Sequence, residues 1–250
     1  MGRGGHEVVG VVRQVVRYPV KSMAGAEVAA ARVGWHGVVG DRHYAFVRTG
    51  NTTHFPWLTA RQAPVLLRYV PSYVDPSDPG ASPVVVRMPD GRIVPLDDPA
   101  LRDSLAAVHG APVHLMQLDR GAFDSMPLSV TSAASLAQLG ARSGVALDHR
   151  RFRQNVIIET YDTQPYVEDD WVGSLLIFGA GPEQVRVRVA RRIPRCMMVN
   201  LHPDTGVQDP RVLREVARSR GACSGVYGSI DRVGTLRVDD VVRLIRDLAT

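Results

Sequence analysis

The chain lacks most of the features that announce a function directly. Its 250 residues hold only two cysteines, Cys196 and Cys223, too few for a disulfide framework and too few to hold a zinc ribbon or an iron–sulfur cluster unaided. No stretch approaches the roughly 18 to 20 uninterrupted apolar residues that span a bilayer, and the first residues have no apolar core of a secretory signal. The expected location is therefore cytoplasmic, with no membrane partner. Basic residues exceed acidic ones by only 30 to 25. That excess suits an anionic ligand or an acidic partner at least as well as nucleic acid, and no nucleic-acid partner is expected. Internal repeats and low-complexity tracts are also missing.

What is present is 45% apolar residues, enough for one large domain or two small ones. Short β-branched runs dominate the first half. Residues 7–18 hold Val8, Val9, Val11, Val12, Val15 and Val16, and similar strand-like segments cover 27–33, 43–48, 65–70, 84–88 and 92–95. Residues 70–83, with four prolines, read as an exposed loop, and 97–108 as a short helix beside a domain seam. A better helix spans 132–144, with Ser132 at its start and Gly140 and Gly144 at its end. Strands follow at 155–159, 175–178 and 184–190, then a helix at 212–220 and two closing strands within 235–245.

Five segments carry residues suited to chemistry. Pro19-Val20-Lys21-Ser22 ends a strand with an ammonium and a hydroxyl, a pair that can hold a phosphate. Gly37 to Arg42 places Arg42 behind two glycines, where its fork suits an anion and Asp41 is the competing partner. Thr59-Ala60-Arg61-Gln62 has the same ambiguity. In Arg150-Arg151-Phe152-Arg153-Gln154-Asn155, an extended backbone would set Arg151, Arg153 and Asn155 on one face as an electropositive wall. The fifth segment runs from Arg191 to Gly206. There Arg195 flanks Cys196, and a cationic neighbour favours the thiolate, whether as nucleophile or as soft metal ligand. His202 and Asp204 follow as proton-donor candidates, although both residue types also stabilise turns.

Tyr-Pro-Val-Lys-Ser at 18–22, Gly-Asp-Arg at 40–42, Thr-Ala-Arg-Gln at 59–62, Phe-Arg-Gln-Asn at 152–155 and Arg-Cys at 195–196 together resemble the MOSC family. The likeness is to its branch with an N-terminal β-barrel domain, which includes the mitochondrial amidoxime reducing component. Thr131 to Leu136, Glu168 to Trp171 and the run Gly234 to Asp240 agree. The resemblance implies an α+β, mostly β fold: a barrel-like MOSC domain packed on a smaller N-terminal β-barrel domain, with a few short helices, divided near 1–105 and 106–250. It also implies a molybdenum–molybdopterin cofactor between the domains. On that carry-over Cys196 is the metal ligand, Lys21, Ser22 and Arg42 hold the phosphate, Arg61 and Arg151 add to the cradle, and Ser132, Arg153 and Asn155 bind elsewhere on the pterin.

Departures from the branch fall at Val199 and Asn200, where it usually carries two threonines, and at Ser224-Gly225 and Asp239-Asp240. The implied activity is reduction of small N-hydroxylated substrates such as amidoximes, hydroxylamines or N-oxides. Cys196, His202 and Asp204 are the catalytic candidates. Some bacterial relatives carry a fused ferredoxin domain and this chain does not, so a separate electron-donor protein of ferredoxin, flavin-reductase or cytochrome type is expected. A second reading keeps the reactive thiol without molybdenum. Cys196 would then carry a persulfide or assist C–S bond chemistry, as in pyridoxal-phosphate-linked sulfur carriers.

Overall fold

The computed structural model describes residues 6–246. Seven strands form a closed barrel: β1 (Glu7–Arg17), β2 (Leu128–Ser132), β3 (Val156–Thr160), β4 (Leu175–Phe178), β5 (Val185–Pro194), β6 (Cys223–Arg232) and β7 (Val241–Ile245). Their spatial order is β3-β2-β6-β5-β4-β7-β1, and pairing of β1 with β3 closes the ring. Only β2 and β3 run parallel; the other pairs are antiparallel.

The valine run of β1 enters the barrel core at Val9, Val12 and Val15, a spacing of three that simple alternation forbids. Register shifts between Val8 and Gly10 and between Val12 and Gln14 resolve it, because each inserted residue turns the next side chain to the other face. Gly10 is required there, since a Cβ would stand 2.2 Å from the carbonyl oxygen of Glu159. In β5 ordinary alternation holds: Val185, Val187 and Val189 point inward and Arg186 and Arg188 outward.

A second, smaller β domain lies against this barrel. It contains the antiparallel pair of Tyr44–Arg48 with Val113–Gln117, the three-stranded sheet Val70–Tyr73, Val84–Arg87 and Ile93–Pro95, and helix α1 (Pro99–His109). Asp98 caps α1, Pro99 occupies its first turn, and Gly110 ends it in the left-handed region. Two sequence readings change here. Within 65–70, residues up to Arg68 belong to a 3₁₀ turn, Pro64–Arg68, because Pro64 fixes a helical φ at its start. Residues 70–83 begin as a strand, since Val70–Tyr73 pairs with Val84–Arg87 and leaves only the tip as loop.

Helices α2 (Ala133–Ser143) and α3 (Arg211–Arg220) pack against the barrel over a third apolar cluster that includes Leu136, Leu139, Val212 and Val216. A buried carboxylate locks α2 in place. Glu168, fully buried, accepts from Thr131 Oγ1 at 2.9 Å, the Ser132 backbone N–H at 3.3 Å, Ser132 Oγ at 2.8 Å and Ser135 Oγ at 2.8 Å. Replacing Glu168 with Ala strands three of the four buried donors, since one hydroxyl of the Ser132–Ser135 pair at 2.7 Å can donate to the other, and is expected to cost about 3 kcal/mol or more. Urea unfolding measures this, and a loss below about 1 kcal/mol would contradict the role assigned to Glu168.

Candidate functional site

The antiparallel ladder of β5 and β6 ends at the pair Pro194 and Cys223. Just past that end the chain turns out and leaves Cys196 exposed. Met197 and Met198, which follow, pack against the core of the smaller domain. The thiol therefore sits at the seam between the two domains, on the rim of a cleft that both of them line.

That cleft collects six cationic side chains, Lys21, Arg42, Arg61, Arg151, Arg153 and Arg195, against one lining carboxylate, Asp124. Each cation is fixed by its local backbone. Lys21 follows a bridge between Val20 and Tyr44, and Ser22 and Arg42 adopt left-handed backbone conformations at φ 64° and 55°. Such conformations cost energy in non-glycine residues and are held by the surrounding fold. The Arg42 side chain donates to Asp41, which is fully buried, and to Arg153 O at 3.0 Å. Asp41 also accepts from the Tyr18 N–H at 2.7 Å. It neutralises Arg42 from behind the wall rather than in the cleft.

Arg151 and Arg153 reach the cleft differently from the extended arrangement expected. Residues His149–Phe152 form a 3₁₀ turn capped by Asp148, and Arg153 takes φ 51°. Arg151 donates to Asn200 O at 2.7 Å and Arg153 to Met23 O at 2.6 Å. The Tyr18 ring is stacked by both guanidinium groups, Arg153 at 4.3 Å and Arg42 at 4.7 Å. Arg195 donates to Phe152 O at 2.8 Å and Ser224 O at 2.9 Å. Asn155 lines the cleft too, but its amide is engaged with Ser129 and Val16 O and braces the floor.

The electrostatics describe a cation cradle short of negative charge. Burial pulls both Arg153 and Arg195 down to about 10, and burial also lowers Lys21. Arg153 is further lowered by its neighbour Arg42. Nη2 of Arg153, Nη2 of Arg195 and Nε of Arg151 are buried with no hydrogen-bond partner. Buried donors of this kind are rarely left unpaired, and here they belong to charged groups lining one cavity.

The remaining expected residues stand elsewhere. Ser132 lies outside the cleft lining; its hydroxyl caps α2 and bonds Glu168. His202 and Asp204 are also away from the thiol's cleft and shape the turn after it: His202 Nδ1 accepts from the Asp204 N–H at 3.2 Å, and Asp204 pairs with Arg150 at 2.7 Å. Proximity in sequence to Cys196 is what suggests the two as proton donors, and neither is among the residues that line the cleft. The lining also includes Asp124, Tyr227, Phe123 and Ser129, which no sequence pattern singles out. One signal was available: Lys21 is the only lysine among 30 basic residues.

The site is a cation-lined cleft with an exposed thiol at its rim, built where a β-barrel meets a smaller β domain. The chain belongs to the MOSC family: the MOSC domain matches residues 107–243 and the MOSC N-terminal beta barrel domain residues 9–112. Mitochondrial amidoxime reducing component 2 of Rattus norvegicus is 24% identical across 94% of this chain and 83% of its own length. The Homo sapiens protein of that name is 30% identical over 48% of this chain, a match spanning 37% of its own length. Molybdenum cofactor sulfurase of Emericella nidulans is 30% identical over 58% of this chain and 16% of its own. Among solved structures, YUAD protein from Bacillus subtilis has the same fold, with a TM-score of 0.52 and 11% identity, covering 96% of this chain and 97% of that one.

A lone lysine makes the cradle measurable. Protein labelled with lysine carrying 15Nζ gives a single ammonium signal, and it is expected to titrate below the ordinary lysine value of about 10.4 because burial opposes the charge. Anion binding then weakens as pH rises through that lowered value, since Lys21 loses its charge. A midpoint at or above the ordinary value would contradict the burial argument.

Proposed function

We propose that this protein binds a molybdenum–pterin cofactor in the cleft and reduces small N-hydroxylated compounds there. The observation that carries the reading is the set of buried guanidinium N–H groups on Arg151, Arg153 and Arg195 that lack partners beside an exposed thiol. Their donor chemistry fits a phosphate-bearing pterin, and a thiolate suits a soft, high-valent metal. Among the described residues no three His, Cys, Asp or Glu side chains are grouped to hold a metal unaided. A metal here would have to arrive with ligands of its own, as a pterin dithiolene provides.

In this proposal Lys21, Ser22 and Arg42 hold the phosphate, Arg153 and Asn155 bind the pterin, Arg151 and Arg61 add positive field, and Cys196 supplies the protein's sulfur ligand. Arg195, anchored to Phe152 O and Ser224 O, fixes the backbone on which Cys196 stands and keeps a cation beside the thiolate. When bound, the cofactor supplies the two-electron redox chemistry. The net change is cleavage of one N–O bond: an amidoxime plus two electrons and two protons gives an amidine and water. The electrons come from a separate donor protein. The relatives named for amidoxime reduction support this reaction, and the relative named as a cofactor sulfurase supports the cofactor. The exposure of Cys196 also suits a persulfide carrier, but that chemistry needs no converging cations.

Molybdenum and pterin analysis of protein made in a cofactor-competent host tests the proposal. Near-stoichiometric amounts of both are expected, with metal lost in Cys196→Ala and pterin retention weakened in a folded Arg153→Ala. Folded wild-type protein holding another metal, or pterin-free with a persulfide on Cys196, would overturn it.

A further inference from the structure

The one carboxylate among the cleft's lining residues stands on its only lysine. Asp124 belongs to residues 118–127, which join Val113–Gln117 to β2 without forming helix or strand. Lys21 Nζ donates to Asp124 Oδ1 at 2.6 Å and to Ala122 O at 2.7 Å, so two of its three N–H groups end on this one segment. The segment is tethered at other points: the Ala122 N–H donates to Arg42 O at 2.7 Å, Arg191 bonds the Ser125 hydroxyl, and Phe123 lies 6.0 Å from the Arg42 guanidinium.

The two partners are unequally placed. The Lys21 side chain is 6% exposed and that of Asp124 is 63% exposed. The cation is fixed in the floor, whereas the carboxylate reaches in from solvent and has water to return to. Burial pushes the Asp124 carboxyl up, yet Lys21, Arg42 and Arg61 outweigh it and hold it below the ordinary carboxylate range. Its negative charge is therefore in the field of two of the three residues proposed to take a phosphate.

We propose that Asp124 is a resident stand-in for the ligand's anion, occupying Lys21 in the ligand-free cleft and yielding it when a phosphate-bearing ligand enters. Asp124 thereby sets the affinity of the site. This rests on reading the cleft as an anion site. A half-solvated ion pair is weak and easily exchanged. An incoming phosphate carries more charge and three oxygens, which serve Lys21, Ser22 and Arg42 together where Asp124 bonds Lys21 alone. Were Asp124 to stay, like charges would oppose each other at the cleft mouth.

The test titrates inorganic phosphate into the full chain at constant ionic strength, read by calorimetry and by the 15Nζ signal of Lys21. Wild type is expected to bind phosphate with a shift of that signal. Asp124→Asn is expected to bind about three- to tenfold tighter, the gain from removing one solvent-exposed competitor and its repulsion. Asp124→Glu keeps the charge and is expected to stay near wild type, which separates loss of the carboxylate from disturbance of the loop. Wild-type binding with an unchanged or weaker Asp124→Asn, or a Glu variant that matches the Asn variant, overturns the proposal. Absence of phosphate binding in every chain overturns the anion-site reading beneath it.

Discussion

Buried positive charge without matching negative charge is the constraint on which the rest of the site depends. Six cations line one cleft and a single carboxylate faces them; Arg61 is exposed, but desolvation penalises the charge on Lys21, Arg42, Arg151, Arg153 and Arg195. The fold accepts this by other means: two guanidinium groups lie over the Tyr18 ring, Asp41 neutralises Arg42 from behind, and backbone carbonyls of Met23, Phe152, Asn200 and Ser224 take the donors they can reach. What stays unpaired points to a multiply charged occupant.

The cleft exists because neither domain is self-contained. β1, at the start of the chain, is a barrel strand flanked by β3 and β7 from the other end, so the smaller domain is threaded between strands of one ring. The segment after Cys196 then packs Met197, Met198 and Leu201 into the smaller domain's core. The thiol is held by contacts on both sides of the seam, and any change in domain packing is transmitted to it.

Much of this was legible in the sequence, for identifiable reasons. Five of the seven barrel strands stood out as β-branched or apolar runs, whereas β2 and β6, with Ser129, Thr131 and Ser132 in one and Gly225 and Gly228 in the other, did not; Ser132 and Gly144 mark a helix that forms. Lys21, Arg42, Arg61, Arg151, Arg153, Asn155 and Cys196 do meet in one cleft. The geometry of the arginines was not legible, because alternation assumes an extended chain and Asp148 instead caps a 3₁₀ turn that sends Arg153 into a left-handed conformation. His202, Asp204 and Ser132 stand elsewhere because short polar residues serve turns and caps as readily as chemistry. Asp124 was invisible: a lone aspartate in a loop has no pattern, and its meaning comes only from the buried lysine 103 residues away.

The central claim is that the cleft's cations bring a metal-bearing anion to Cys196, and molybdenum K-edge X-ray absorption on the loaded protein tests it most directly. A sulfur shell from the cofactor plus one protein thiolate is predicted, falling by one sulfur scatterer in Cys196→Ser while the metal remains bound in part. An identical sulfur shell in that variant would contradict the account.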